Sequence, residues 1–122
     1  MFNEYYADVR DQGLLAEIKY LDSSADFFWV APGYQNILTY DSVISIVKEN
    51  ANRFKSVDQH WDTLEVHALS PNLASYTGRI TSDVTDQSGL SMKHVLVETG
   101  IVIKRENGWK LLSGQTTVVP EE

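Results

Sequence analysis

The chain contains no cysteine, which excludes disulfides and thiolate metal sites outright. Positive charge is scarce as well: 10 Lys and Arg stand against 17 Asp and Glu, a net of -7, and no basic run breaks the pattern. Phosphate backbones and anionic lipid surfaces both demand clustered positive charge, so neither a nucleic-acid nor a membrane partner is expected. The surplus of acid reads as solubility. No apolar run approaches the roughly 20 residues that span a bilayer. The opening "MFNEYYADVRDQG" places acids and tyrosines where a secretory signal needs a basic end and an apolar core, so a cytoplasmic location is the expectation. Phosphate loops, nucleotide fingerprints and nucleophile elbows are missing too. With no cysteine and only 3 histidines, metal ligands are few. His60 and His67 are seven apart, and a regular strand sends such a pair to opposite faces. No metal and no cofactor is expected.

What is present suffices for a packed interior. The composition is 43% hydrophobic, with 3 Trp, 6 Tyr and 4 Phe, in 122 residues that read as a single domain, 1–122. Residues 2–12 carry Phe2, Tyr5, Tyr6 and Val9 at helical spacing, and Gly13 suits the position that ends a helix. "LLAEIKYL" (14–21) restarts helical spacing, "FFWVA" (27–31) reads as a short strand, and Pro32-Gly33 closes it. Thr39 or Asp41 is the expected N-cap of a further helix bearing Val43, Ile46, Val47 and Phe54. The period then changes to two. Residues 56–70, 72–86, 90–106 and 109–119 are long strand candidates, separated by Ser-Pro-Asn, Asp-Gln-Ser-Gly and Asn-Gly. Helices followed by hairpin-linked strands indicate an α+β fold: a strongly curved antiparallel sheet forming a cone, wrapped by about three N-terminal helices.

The last hairpin sets the faces. Asn107-Gly108 suits a type I′ turn, which would pair Glu106 with Trp109 and bring Gly100 opposite Gln115. One face would then carry His94, Leu96, Glu98, Gly100, Val102, Trp109, Leu111, Ser113 and Gln115; the other would carry Val95, Val97, Thr99, Ile101, Ile103, Leu112 and Val118. Neither face is polar throughout, so both need cover. The helices cover one, and a homodimer through the more aliphatic face of the sheet is expected to cover the other. The mixed face looks into the cone.

This order of elements resembles the SnoaL-like branch of the nuclear transport factor 2-like (cystatin-like) superfamily over nearly the whole chain. The resemblance rests on the first helix with Gly13, on "LLAEIKYLDSSADFFWV", the Pro-Gly segment and "YDSVISIV", and on the closing stretch in which a turn and Gly-Trp precede the last strand. It implies a curved sheet wrapped by three helices, a pocket at the mouth of the cone, and frequent dimers. Members include isomerases, dehydratases, cyclases, epoxide hydrolases and non-catalytic binders, so the fold does not set the function. The ketosteroid-isomerase-like branch places a catalytic aspartate before a proline after the first strand; here Ala31 precedes Pro32. That side chain cannot abstract a proton.

Candidate chemistry lies elsewhere. His94 and Glu98 are four apart on one strand and share a face, a general base with an orienting carboxylate, with Gln115 alongside. The resemblance implies that a first-helix tyrosine, Tyr5 or Tyr6, points into the pocket as a hydrogen-bond donor. Trp29, Tyr76, Trp109 and Ser113 are further ligand-contact candidates, while Trp61 reads as pocket or core. The expected partner is a small apolar or ring-containing molecule in an apolar cone pocket. Such a protein either binds only or acts as a cofactor-independent isomerase, dehydratase or cyclase. The alternative is a non-enzymatic homodimerisation or protein-interaction module whose cone is filled.

Overall fold

Helix α1 spans Phe2–Gln12 and stops where Gly13 adopts φ 89°, its N–H donating to Val9 O at 2.8 Å. The computed structural model describes residues 1–120. Next comes a 3-10 helix, Leu14–Tyr20, tighter than the spacing of its apolar residues suggests. Its bonds run three residues back, from Ala16 N to Gly13 O and from Leu21 N to Ile18 O, before Leu21 turns extended and bridges to Leu111. Seven residues held between a glycine and a sheet bridge are too few for a settled α-helix.

Strand β1 is Phe28–Val30, and helix α2 is Tyr40–Arg53. Thr39 caps α2, its hydroxyl oxygen accepting from Ser42 N at 3.3 Å. Strands β2 (Phe54–Ser70), β3 (Leu73–Asp86), β4 (Ser91–Arg105) and β5 (Gly108–Val118) follow. Each lies within two residues of its expected bounds at both ends. The sheet order is β1-β5-β4-β3-β2, antiparallel except that β1 pairs parallel with β5. The architecture is α+β, with a curved, unclosed sheet and helices across its concave side.

β3 supplies the clearest periodicity. Ala74, Tyr76, Gly78, Ile80, Ser82 and Val84 are all buried on the concave face, while the residues between them point outward. Phe2 seals one end of the cone, its ring centroid 4.8 Å from Tyr76 and 5.4 Å from Trp61. Trp61 therefore belongs to a packed aromatic cluster. Its indole N–H is buried there without a partner.

The last hairpin differs from the expected type I′ turn. Gly108 alone takes positive φ, at 115°, and among the described residues no non-glycine does. Asn107 thus stays on the ordinary side of the backbone map, and the strands close as Arg105 opposite Gly108 around Glu106-Asn107. A bulge at Leu112 then shifts the register again: Val102 pairs with Leu111, but Ile101 pairs with Ser113. Past the bulge the faces exchange. Ser113 and Gln115 share the convex side with Ile101 and Thr99, and Thr116 takes the concave position opposite Glu98. A second bulge, at Asp62, places His60 and His67 on the same convex face, opposite Thr81 and Ser75, rather than on opposite faces. Among the described residues no helix is long and apolar enough to cross a membrane.

Candidate functional site

A cavity of about 270 Å³ opens between the helices and the concave sheet. The helices build its upper wall by periodicity. Val43, Ile46, Val47 and Asn50 come from one face of α2, and Leu14 and Glu17 come from the 3-10 segment, with Leu21 just after it. Ile80, Leu96 and Leu111 form the sheet side. The loop after β1 folds over the rim because Leu38 exchanges two backbone hydrogen bonds with Trp29, at 3.0 and 2.8 Å, which brings Ala31 and Pro32 to the wall.

Glu98 is the anchored polar group. Tyr76 Oη donates to its Oε2 at 2.9 Å, and Thr116 Oγ1 donates to its Oε1 at 2.8 Å. Thr116 is itself held, because Trp29 Nε1 donates to its hydroxyl oxygen at 3.0 Å. A relay therefore runs across β1, β5, β4 and β3. Two glycines make room for it. A Cβ on Gly114 would lie 2.6 Å from Trp29 Cη2, and one on Gly100 would lie 2.9 Å from Tyr76 Oη. Both rings occupy space that a side chain at the glycine would fill.

Glu17 is the second carboxylate. Burial pushes it up to about 7, with the Tyr5 hydroxyl working against that rise and the charge of Glu98 adding to it. Glu98 is also raised by burial, while its bonds from Thr116 and Tyr76 pull it back. Both side chains keep some open surface, and what they face is the cavity. Tyr5 and Tyr6 line it too, their rings edge to face at 5.0 Å. Burial raises both phenols, most strongly among their causes, so their hydroxyls stay protonated as donors.

Of the residues singled out from sequence, Tyr5, Tyr6, Trp29 and Glu98 meet at the cavity, and Tyr76 stands behind it holding Glu98. His94 shares the concave face with Glu98, as its spacing requires, but lies opposite Ser82 beyond the cavity and is exposed. The structure does not bring the two together as base and orienting partner. Trp109 packs against the core, and Ser113 and Gln115 face away for the register reason above. Glu17, Asn50 and Thr116 were not anticipated. Glu17 and Asn50 had a signal: each is polar at a position where the helical spacing calls for an apolar residue.

No protein-family model matches the sequence, and a search of curated proteins finds no match. Solved structures do match. A candidate calcium/calmodulin dependent protein kinase II association domain from Xanthomonas campestris superposes with TM-score 0.81 at 14% identity, covering 99% of this chain and 84% of its own. A candidate dehydratase of the nuclear transport factor 2-like family from Streptomyces avermitilis gives 0.77 at 16%, covering 98% and 91%. A nuclear transport factor 2-like superfamily protein from Salmonella enterica serovar Typhimurium gives 0.78 at 11%, covering 98% and 87%. The fold is the nuclear transport factor 2-like fold. It is also described as cystatin-like among the matches. Neighbours with this fold carry names as different as an association domain and a dehydratase, so the nuclear transport factor 2-like scaffold leaves the chemistry to the cavity.

Proposed function

We propose that this is a small-molecule-binding protein of the SnoaL-like type, taking one ring-sized, largely apolar ligand in the cone cavity. One observation carries the reading. A cavity of about 270 Å³, walled by aliphatic side chains, ends on a carboxylate that two donors hold rigid. Apolar walls with a few fixed polar groups suit a ligand site, and this volume lies just below the usual range of about 300–1,000 Å³, which calls for a small ligand. The filled-cone alternative requires aromatic side chains to plug the interior. The Phe2, Trp61 and Tyr76 cluster plugs one end only and stops short of the cavity.

The same groups suit proton transfer. Glu98 has two fixed donors to support its anion, whereas Glu17 has Tyr5 alone, so Glu98 is the base and Glu17 the acid in any turnover. The dehydratase-named neighbour is compatible with that division of roles, at the level of fold. Pairing with a second copy is part of the proposal. Val95, Val97, Ile101 and Ile103 form an aliphatic row on the convex side of β4, and among the described residues no helix makes extensive contact with that strand.

The test is methyl NMR during titration with neutral ring compounds such as benzyl alcohol and indole. Saturable shifts of Leu96, Leu111 and Ile46 are expected. Absence of any saturable change at those methyls with neutral and charged ring compounds alike would overturn the ligand reading.

A further inference from the structure

The charges around the cavity are one-sided. Glu17 and Glu98 both face it, and among the described residues that line it there is no lysine, arginine or histidine. Lys19, two positions from Glu17, is engaged elsewhere, pairing with Asp8 at 2.6 Å. The two carboxylates line one cavity, and the charge of Glu98 adds to the rise of Glu17. Tyr5, Tyr6 and Trp29 line the same cavity.

We infer that the cavity selects a ligand bearing a positively charged nitrogen on a ring-sized apolar body, an aryl or cycloalkyl ammonium. This rests on the ligand-binding reading above and goes further, because it assigns the sign of the ligand's charge. The physical reason is compensation. An ionised carboxylate in an apolar enclosure needs a counter-charge, and the chain offers Glu98 neutral hydroxyl donors only. Each Glu98 oxygen accepts one hydrogen bond from the protein and keeps a second lone pair for a ligand N–H. An ammonium between Glu17 and Glu98 would turn their mutual repulsion into two attractions. A neutral ligand leaves the repulsion in place, and an anion adds to it.

The experiment compares three probes of matched size by calorimetry at pH 8: benzylammonium, benzyl alcohol and benzoate. Benzylammonium is expected to bind at least about tenfold more tightly than benzyl alcohol, and benzoate not measurably. Glu98→Gln and Glu17→Gln should each weaken benzylammonium by about tenfold, and by more than they weaken benzyl alcohol. Both variants are isosteric, and their melting curves report folding. Equal or better binding of benzyl alcohol or benzoate overturns the assignment of charge and leaves the ligand-binding reading standing. Benzylammonium binding that survives both substitutions also overturns it, placing the cation on the acidic surface. If none of the three probes binds, the assignment and the reading beneath it fall together.

Discussion

Trp29 Nε1 donates to Thr116 Oγ1 at 3.0 Å, joining the shortest strand of the sheet to the one beside Glu98. That hydroxyl accepts from the indole and donates to the carboxylate, so one threonine aligns two groups 87 and 18 residues away in sequence. Thr116→Val preserves shape and removes both bonds. It should cost about 1–3 kcal/mol by leaving the indole N–H and one Glu98 oxygen unpaired, whereas Thr116→Ser should cost less than about 1 kcal/mol. Urea denaturation of the two variants distinguishes the relay from simple packing.

Gly114 and Gly100 face one another across β5 and β4, each beneath an aromatic ring. An added methyl at position 114 meets Thr99 O at 2.8 Å as well as the Trp29 ring, and at position 100 it meets Ser113 O at 2.5 Å. Backbone cannot yield as a flexible side chain can. Gly114→Ala and Gly100→Ala should each lose about 1–3 kcal/mol. Gly114→Ala should also shift the tryptophan fluorescence, because the Trp29 ring must lift.

Glu17 makes stability fall with rising pH. Its folded value of about 7 lies above the ordinary 4.5, so the folded chain keeps a proton that the unfolded chain has released. Stability from this group is intact below about 4.5 and is lost as pH rises through about 7. Tyr5 and Tyr6 on α1 and Glu98 on β4 face it, and none of them supplies a positive charge. Glu17→Gln should therefore be more stable than the parent by about 1–3 kcal/mol at pH 8.5 and nearly equal to it at pH 5. Melting temperatures across that range check the crossover. A gain that is the same at both pH values would contradict it.

Asp22 behaves in the opposite sense. It is 5% exposed, receives Arg105 through Nε at 2.8 Å and Nη2 at 3.0 Å, and accepts from Ser24 Oγ at 2.6 Å. The Arg105 bonds, with help from Ser24, hold its carboxyl below the ordinary carboxylate range. Its stabilisation is complete above the unfolded value of 3.8 and is lost as pH falls through the lower folded one. Asp22→Asn should cost about 1–3 kcal/mol at neutral pH, allowing for the partial exposure of Arg105. The gap between variant and parent should close in acid.

The proposed pairing through the convex face makes its own prediction. Val97, 39% exposed at the centre of the aliphatic row, should tolerate charge in a monomer and not in a dimer. Val97→Glu should yield a monomer by analytical ultracentrifugation with its circular dichroism unchanged. A parent protein that sediments as a monomer at micromolar concentration would remove the pairing.

Much of the fold was legible because element type is a local property. The change of period from helical to alternating falls at the junction of α2 and β2, where Phe54 ends one element and starts the other. Thr39 declared the start of α2 through its cap, and Gly13 the end of α1. The candidate site was half legible. Tyr5 and Tyr6 were expected at the cavity through the family resemblance, Glu98 through alternation along its strand, and Trp29 and Tyr76 as aromatic candidates. Ser113 and Gln115 were placed in the cavity by an unbroken register, and a single extra residue at Leu112 sends them to the other side. His94 follows the alternation correctly but lies past the cover, and alternation carries no information about where a helix stops covering a sheet.

By itself, then, the chain order determined which stretches are helix or strand, the acidic balance, and the absence of thiol chemistry. These depend on single residues and on neighbours a few positions apart. Only the tertiary structure decided that Glu17 and Glu98, 81 positions apart, would share one cavity. It decided equally that Thr116 rather than Gln115 would hold Glu98. Bulges and segment packing settle those matters, because where a strand gains a residue depends on how its neighbours and the helices above them fit. No local pattern encodes that fit.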